Sequence, residues 1–339
     1  MVLQLFKPLY PNGPLVSPIG IGTYRMGSDH KDIIKYALHK NMNLVDTSHH
    51  SLGGESEAIL GEISQYIKSP MVIMTKLGLL TPEEVSIFQN TDSFTKVWEH
   101  PYLQGRNFGY TLSPERIKDQ VVRSLGRLRR DYIDVCLLQN PEYYFQGLKW
   151  DRDLLIQVFE VLEELIKLKI IGAYGISSTD YINLKNCFSD IKPGFKMIQV
   201  PLNWLETDSL ELIAEAHAKN LGVVTYRPLD AFAGENLCRL VDPSIPLDTK
   251  NQQTYNQWYQ LSVNLKEHAK ETIPFPGYAE APLSQIVLAS LMKTKGVSSV
   301  LCGLRKISYV DDAILACQLP QFPGFMKWIN DLQSSIEVS

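Results

Sequence analysis

Short runs of β-branched and aliphatic residues alternate along this chain with longer stretches whose apolar positions recur every three or four residues. The runs are Asn43–Asp46, Met71–Lys76, Tyr132–Leu138, Ile170–Ile176, Met197–Val200, Gly222–Tyr226 and Ser298–Cys302. Segments this short and this continuously apolar read as strands buried on both faces. Between them the spacing predicts helices over 31–40, capped by Ser28, over 55–68, and from Ser113 and Glu115 to Leu128. Further helices are predicted over 152–168, 179–187, 207–219 and 283–294. A strand followed by a helix, repeated, is the signature of a parallel sheet with crossover helices. Seven strands are legible, and the stretch Leu15–Thr23 must supply an eighth. Eight close an α/β fold of the (β/α)8 barrel type, in which chemistry sits at the C-terminal ends of the strands.

Two stretches exceed simple connections, 77–112 and 231–282, and loops of that length in a compact fold serve as lids or binding surfaces. The second contains Thr254–Leu265, which reads as an amphipathic helix packed on the barrel, and it is the surface where a protein partner is expected. With 339 residues, residues 1–339 read as one barrel domain carrying these two insertions. A net charge of −4 and the absence of any Lys/Arg block exclude a nucleic-acid surface. No apolar stretch approaches the length of a membrane span and Met1–Pro14 does not resemble a leader, so a soluble, cytoplasmic protein is expected. Cys136, Cys187, Cys238, Cys302 and Cys317 are odd in number and lack metal-ligand spacing; they predict buried thiols in a reducing compartment and no metal centre.

The segment from Asp46 to Glu57, Asp-Thr-Ser-His-His-Ser-Leu-Gly-Gly-Glu-Ser-Glu, joins a strand end to an active-site loop and a helix. It resembles the aldo-keto reductase signature, in which an aspartate is followed five positions later by a catalytic tyrosine, then by a glycine turn and Ser-Glu. The fifth position here is Ser51. The resemblance covers nearly the whole chain. Pro18–Gly27 is similar to the family's opening, where the pair equivalent to Gly22 and Thr23 lies beside the nicotinamide. Lys76, and Asp131–Leu138 before Gln139, match the ends of the family's catalytic strands. Gly175-Ile176-Ser177-Ser178 resembles a Gly-x-Ser-Asn motif that holds the nicotinamide carboxamide together with a glutamine, here Gln199, and Tyr226 matches the aromatic on which the ring stacks. Gly303-Leu304-Arg305 resembles the adenosine-phosphate site, with Arg305 placed for a ribose 2′-phosphate, so the resemblance implies NADP(H) in preference to NAD(H). Asp312-Ala313 stands where the family has Glu-Asn on the adenine side, leaving Asp312 as the contact there.

The physical logic of this set is that a nicotinamide needs a flat aromatic surface, partners for its carboxamide and a cation for its phosphates. The proton-transfer end differs. The resemblance implies a tetrad of tyrosine, lysine, aspartate and histidine; Asp46 and Lys76 are kept, while Ser51 and Gln139 replace the other two. A serine hydroxyl is shorter than a phenol and far less acidic, whereas the Gln139 amide can still donate to a carbonyl oxygen. His49 and His50 adjoin the changed position: His50 reads as a surrogate acid, or both read as exposed loop residues. Tyr24 and Tyr144 are further proton donors or walls of the site.

Three functions stay open. One is an NAD(P)(H)-dependent oxidoreductase of this family acting on a sugar or a small carbonyl compound. The phrasing Asp46-Thr47-Ser48 with Gly53-Gly54 is similar to that of sugar dehydrogenases. Another is a cofactor-binding pseudoenzyme serving as sensor or scaffold. A third is a barrel lyase or isomerase using Lys76 as an amine nucleophile, which Asp46 opposes by keeping the amine charged.

Overall fold

The computed structural model describes residues 6–88, 93–99, 107–204, 206–229, 267, 277 and 280–320. Eight parallel strands close into a barrel in chain order: β1 (Ile19–Gly22), β2 (Leu44–Asp46), β3 (Val72–Leu77), β4 (Ile133–Gln139), β5 (Ile171–Ser177), β6 (Phe195–Pro201), β7 (Gly222–Tyr226) and β8 (Ser299–Cys302). Around it run α1 (Lys31–His39), α2 (Glu55–Ser64), α3 (Pro114–Leu128), α4 (Arg152–Lys167), α5 (Tyr181–Asn186), α6 (Leu210–Ala218), α7 (Leu283–Leu291) and α8 (Ile307–Ala316). The strand expected within Leu15–Thr23 is Ile19–Gly22; Leu15–Val16 instead pairs antiparallel with Lys7–Pro8 in a ribbon outside the barrel. Ser28 does not cap α1. It starts a 3-10 turn ending at His30, and the residue before the helix makes no side-chain cap bond. Asp151 and Asp180 do cap their helices, accepting from Leu154 and Asn183 at 3.1 and 3.0 Å.

Period-two alternation decides what each strand sends inward. One apolar cluster fills the barrel: Leu44, Val72, Met74, Val135, Leu137, Ala173, Met197, Val224 and Leu301, floored by Leu9 and Val16 from the ribbon. The alternate residues, such as Ile73, Cys136, Leu138, Ile176, Ile198, Val223 and Val300, join the cluster beneath the helices. Following the inward set to the strand ends gives Asp46 after Leu44, Lys76 after Met74, Gln139 after Leu137, Ser177 beyond Ala173, Gln199 after Met197 and Tyr226 after Val224. The apolar interior thus ends in a polar layer at the C-terminal mouth.

The Ser-Glu pair that closes the Asp46–Glu57 segment has a structural role. The Ser56 hydroxyl reaches the Met26 carbonyl at 3.0 Å, tying α2 to the loop after β1. Glu57 is fully buried, accepts from Thr75 on β3 at 2.5 Å and pairs with Arg127 on α3 at 2.7 Å. A buried carboxylate needs such partners, since an uncompensated one costs several kcal/mol, on the order of 3–5 when a partner is removed. Gly61 lets α2 and α3 approach closely: a Cβ there would lie 2.2 Å from the Arg127 carbonyl oxygen.

The described parts of the 77–112 stretch form a short helix, Pro82–Phe88, and a hairpin of Thr95–Glu99 with Asn107–Thr111. The Thr254–Leu265 segment and Cys238 lie outside the described residues, as does nearly all of 231–282. Cys136, Cys187, Cys302 and Cys317 are free thiols and buried. Among the described residues no helix is long and apolar enough to cross a membrane.

Candidate active site

Asp46 and Lys76 form an ion pair at the centre of the mouth, with side-chain exposures of 18% and 5%. Lys76 also approaches the Thr47 carbonyl at 3.4 Å, and Gln199 donates its amide to Asp46 Oδ1 at 3.1 Å. Gln199 lies on β6 and Asp46 on β2, so their contact crosses the barrel interior. Burial raises the Asp46 carboxyl above the usual carboxylate range, opposed by the Lys76 ammonium and the Gln199 amide.

The loop after β2 turns through left-handed residues, Leu52 at φ 50°, Gly53 at 64° and Gly54 at 94°, and leads into α2. Gly54 needs its missing side chain, because a Cβ would meet the Arg127 side chain at 2.7 Å. Within this turn Ser51 is buried, and its hydroxyl is bonded to that of Ser56 at 3.1 Å. No hydrogen bond joins Ser51 to Lys76.

The two histidines are not exposed loop residues. His49 is buried, with Nδ1 2.9 Å from the Lys76 carbonyl and Nε2 2.6 Å from that of Leu79, so it clamps the β2 loop onto the end of β3 and the segment after it. His50 is half-buried, and its pKa is pushed down to about 3, first by burial and then by His49 and Lys76. At neutral pH it is an uncharged imidazole, able to exchange hydrogen bonds but poorly suited to deliver a proton.

This shift has a measurable consequence. The unfolded chain titrates this imidazole near 6.5, so between about pH 6.5 and 3 the unfolded state holds a proton that the folded state does not. His50 therefore contributes fully above about pH 6.5, and its contribution is lost as the pH falls towards the folded value. Wild type is expected to lose about 1–2 kcal/mol more than His50→Asn between pH 7 and pH 5 in urea unfolding. Parallel losses would show that His50 keeps an ordinary pKa.

Tyr144 is buried, with the Lys96 ammonium 4.2 Å from its ring centroid and its hydroxyl 3.5 Å from the Ser93 carbonyl; it is wall, fixed by the 77–112 insertion. Tyr24 stands exposed on the rim. Gln139, at the end of β4, has a buried Oε1 with no partner among the described residues, and the same holds for His50 Nδ1. On the neighbouring strand ends Gln139 registers with Ser177, and Ser177 with Gln199. Tyr226 registers with Pro201 on the adjacent strand. Gly22 registers with Asp46, and Thr23 donates to the Asp46 carbonyl at 3.0 Å.

Farther round the rim, Gly303 and Arg305 are exposed on the turn between β8 and α8, beside the first turn of that helix. Asp312 lies on α8, and its carboxylate accepts from Gln285 at 2.9 Å and Ser284 at 3.3 Å, which joins α8 to α7. Two residues escaped sequence reasoning: His49 as a clamp, and Glu142. Glu142 begins the short helix Glu142–Phe145 just past β4 and accepts from Asn140, Ser178 and Thr179. Its signal was a carboxylate three positions beyond a strand end, which spacing alone does not separate from a helix N-terminal acid.

A family model described as the aldo/keto reductase family matches residues 18–330. The chain belongs to the aldo/keto reductase family. It is 22% identical over 326 residues to L-galactose dehydrogenase of Arabidopsis thaliana, covering 91% of this chain and 87% of that protein. It is 23% identical over 330 residues to an NADH-specific methylglyoxal reductase of Escherichia coli (strain K12), covering 92% and 93%. Among solved structures, an aldo-keto reductase of Bacillus halodurans in its holo form superposes with a TM-score of 0.72 at 20% identity, over 96% of this chain and 95% of that one. At that identity the likeness is one of fold.

Aldo/keto reductases are oxidoreductases that use nicotinamide cofactors, and three features of this mouth fit such a group. Gln199 commits one amide hydrogen to Asp46 and retains further donor and acceptor capacity. Tyr226 offers a half-buried ring at the rim. Arg305 and Lys306 place cationic side chains next to a helix N-terminus, a setting that favours phosphate.

Proposed function

We propose that this protein binds NAD(P)(H), with NADP(H) preferred, in the barrel mouth and oxidises or reduces a sugar or another small carbonyl compound through a weakened proton-transfer end. One observation carries the reading. Six successive strands, β2 to β7, each carry an inward residue suited to this chemistry at or within two positions of the C-terminal end: Asp46, Lys76, Gln139, Ser177, Gln199 and Tyr226.

In this reading Tyr226 supplies the stacking surface, Gln199 and Ser177 orient the carboxamide, Gly22 and Thr23 leave space beside the ring, and Arg305 pairs with a 2′-phosphate. The bound cofactor supplies the hydride. Gln139 donates a hydrogen bond to the substrate oxygen, the Lys76 ammonium adds positive charge near it, partly neutralised by Asp46, and the proton that completes a reduction comes from solvent water. Ser51 offers no acid of useful strength. A positioned general acid is worth roughly 10²–10⁴ in rate, so turnover in this reading is slow. The sugar or small-carbonyl class is supported by what the two curated relatives are named for, L-galactose and methylglyoxal. Free buried thiols favour a reducing, cytoplasmic setting.

A second reading, a cofactor-binding pseudoenzyme acting as sensor or scaffold, is favoured by the hydrogen bond of Ser51 to Ser56 and by the depressed pKa of His50. Assays of NADPH and NADH oxidation with small aldehydes, and of NADP+ and NAD+ reduction with sugars, separate the two. Slow, saturable turnover of at least one compound is expected. Cofactor binding without turnover anywhere in the panel would favour the pseudoenzyme.

A further inference from the structure

The carboxamide end of the mouth departs from its resemblance in one more way. Where Gly-x-Ser-Asn would present an amide, this chain has Ser178, which is fully buried. Its hydroxyl is committed at both ends, donating to Glu142 Oε2 at 2.8 Å and accepting from the Asp180 amide at 2.9 Å. Ser178 thus has no donor left for a ligand. What lies one hydrogen bond beyond it is the Glu142 carboxylate, half-buried at the rim.

That carboxylate is built into place. Glu142 Oε1 accepts from Asn140 Nδ2 at 2.8 Å, the Thr179 amide at 2.9 Å and the Thr179 hydroxyl at 3.0 Å. Asn140 is itself fixed, with its backbone in the left-handed region at φ 50° and its amide 2.6 Å from the Ser177 carbonyl. Oε1 is saturated, whereas Oε2 carries the single bond from Ser178. A carboxylate has about four acceptor positions, so Oε2 keeps capacity for a further donor.

We infer that Glu142 replaces the amide missing at position 178 and accepts a hydrogen bond from the nicotinamide carboxamide, so that its charge makes the mouth hold the oxidised, cationic cofactor more tightly than the reduced form. The inference rests on the proposed cofactor-binding reading. A neutral amide at this point would not distinguish the two redox forms by charge; a carboxylate does, and in a partly buried site its field is only weakly screened. That field reaches the stacking surface. The Tyr226 phenol is held well above its usual range by burial first, with Arg227 opposing and Glu142 adding to the shift. Arg227 is the opposing charge, its guanidinium 5.6 Å from the Tyr226 ring centroid.

The test measures dissociation constants for NADP+ and NADPH, by calorimetry, on wild type, Glu142→Gln and Glu142→Asp. Wild type is expected to bind NADP+ more tightly than NADPH. Glu142→Gln should reduce that preference about tenfold, and Glu142→Asp, which keeps the charge, should preserve most of it. Loss of hydrogen bonds alone would weaken both forms together, so an unchanged ratio in Glu142→Gln overturns the assignment while leaving cofactor binding intact. Should Glu142→Gln not fold, tighter binding of NADPH than NADP+ by wild type overturns it equally. Failure of wild type to bind either form removes this inference and the proposed function together.

Discussion

Ser51→Tyr is expected to raise NADPH-dependent aldehyde reduction by about 10²–10⁴-fold, equivalent to about 3–5 kcal/mol of transition-state stabilisation. The phenol supplies what serine lacks, an acid with a pKa near 10 on a rigid reach, next to a strand-end ammonium that favours its ionised form. The change removes the Ser51 partner of Ser56, although the Ser56 hydroxyl retains the Met26 carbonyl, and it places a phenol where Ser51 is buried, so the loss of stability should be about 1–3 kcal/mol. Single-turnover reduction of a small aldehyde is the measurement, with a melting curve to show that the variant folds. A folded variant that binds cofactor as wild type does and gains no rate would show that position 51 is not what limits turnover.

The second large effect falls on stability. Among the described residues, Lys76→Met leaves the Asp46 carboxylate in the mouth with the Gln199 amide as its one side-chain support. Removing one partner of a buried pair costs about 3–5 kcal/mol, because the remaining charge is uncompensated. Burial already raises the Asp46 carboxyl, and without the ammonium it rises further, so the variant escapes part of the penalty by binding a proton. The deficit against wild type should therefore be largest near pH 8 and shrink as the pH falls towards 5. The double variant Asp46→Asn with Lys76→Met should recover most of it. Urea unfolding of the three proteins at the two pH values measures both effects, and a deficit below about 1 kcal/mol at pH 8 would mean that the pair is effectively solvated.

The barrel was legible because seven of its strands are continuous apolar runs, a pattern that burial on both faces imposes. The eighth, Ile19-Gly20-Ile21-Gly22, carries two glycines and has little intrinsic strand preference; closure of the barrel, not local sequence, identifies it. Ser28 looked like a helix cap, yet its backbone amide is bonded to Glu55 at 3.1 Å, a partner 27 positions away that no local rule includes. His49 was illegible for the same reason, since its carbonyl partners, Lys76 on the next strand and Leu79 just after it, lie 27 and 30 positions away. The resemblance placed Asp46, Lys76, Gln199 and Tyr226 at strand ends, and alternation from the apolar interior brings them to one layer. Glu142 remained hidden because its role depends on two residues of a neighbouring strand end, Ser178 and Thr179.

Titration of the wild-type protein with NADPH, followed by energy transfer from tryptophan to the bound nicotinamide and by the shift in melting temperature, bears most directly on whether this mouth is a cofactor site with a depleted acid. The expected result is saturable, one-site binding with Kd between about 1 μM and 1 mM, and stabilisation of about 2.7 kcal/mol at a hundredfold excess over Kd. Tyr226→Ala should weaken it at least about tenfold, through loss of stacking worth about 1–3 kcal/mol. Absence of saturable binding for both NADPH and NADH up to millimolar concentration would contradict the account.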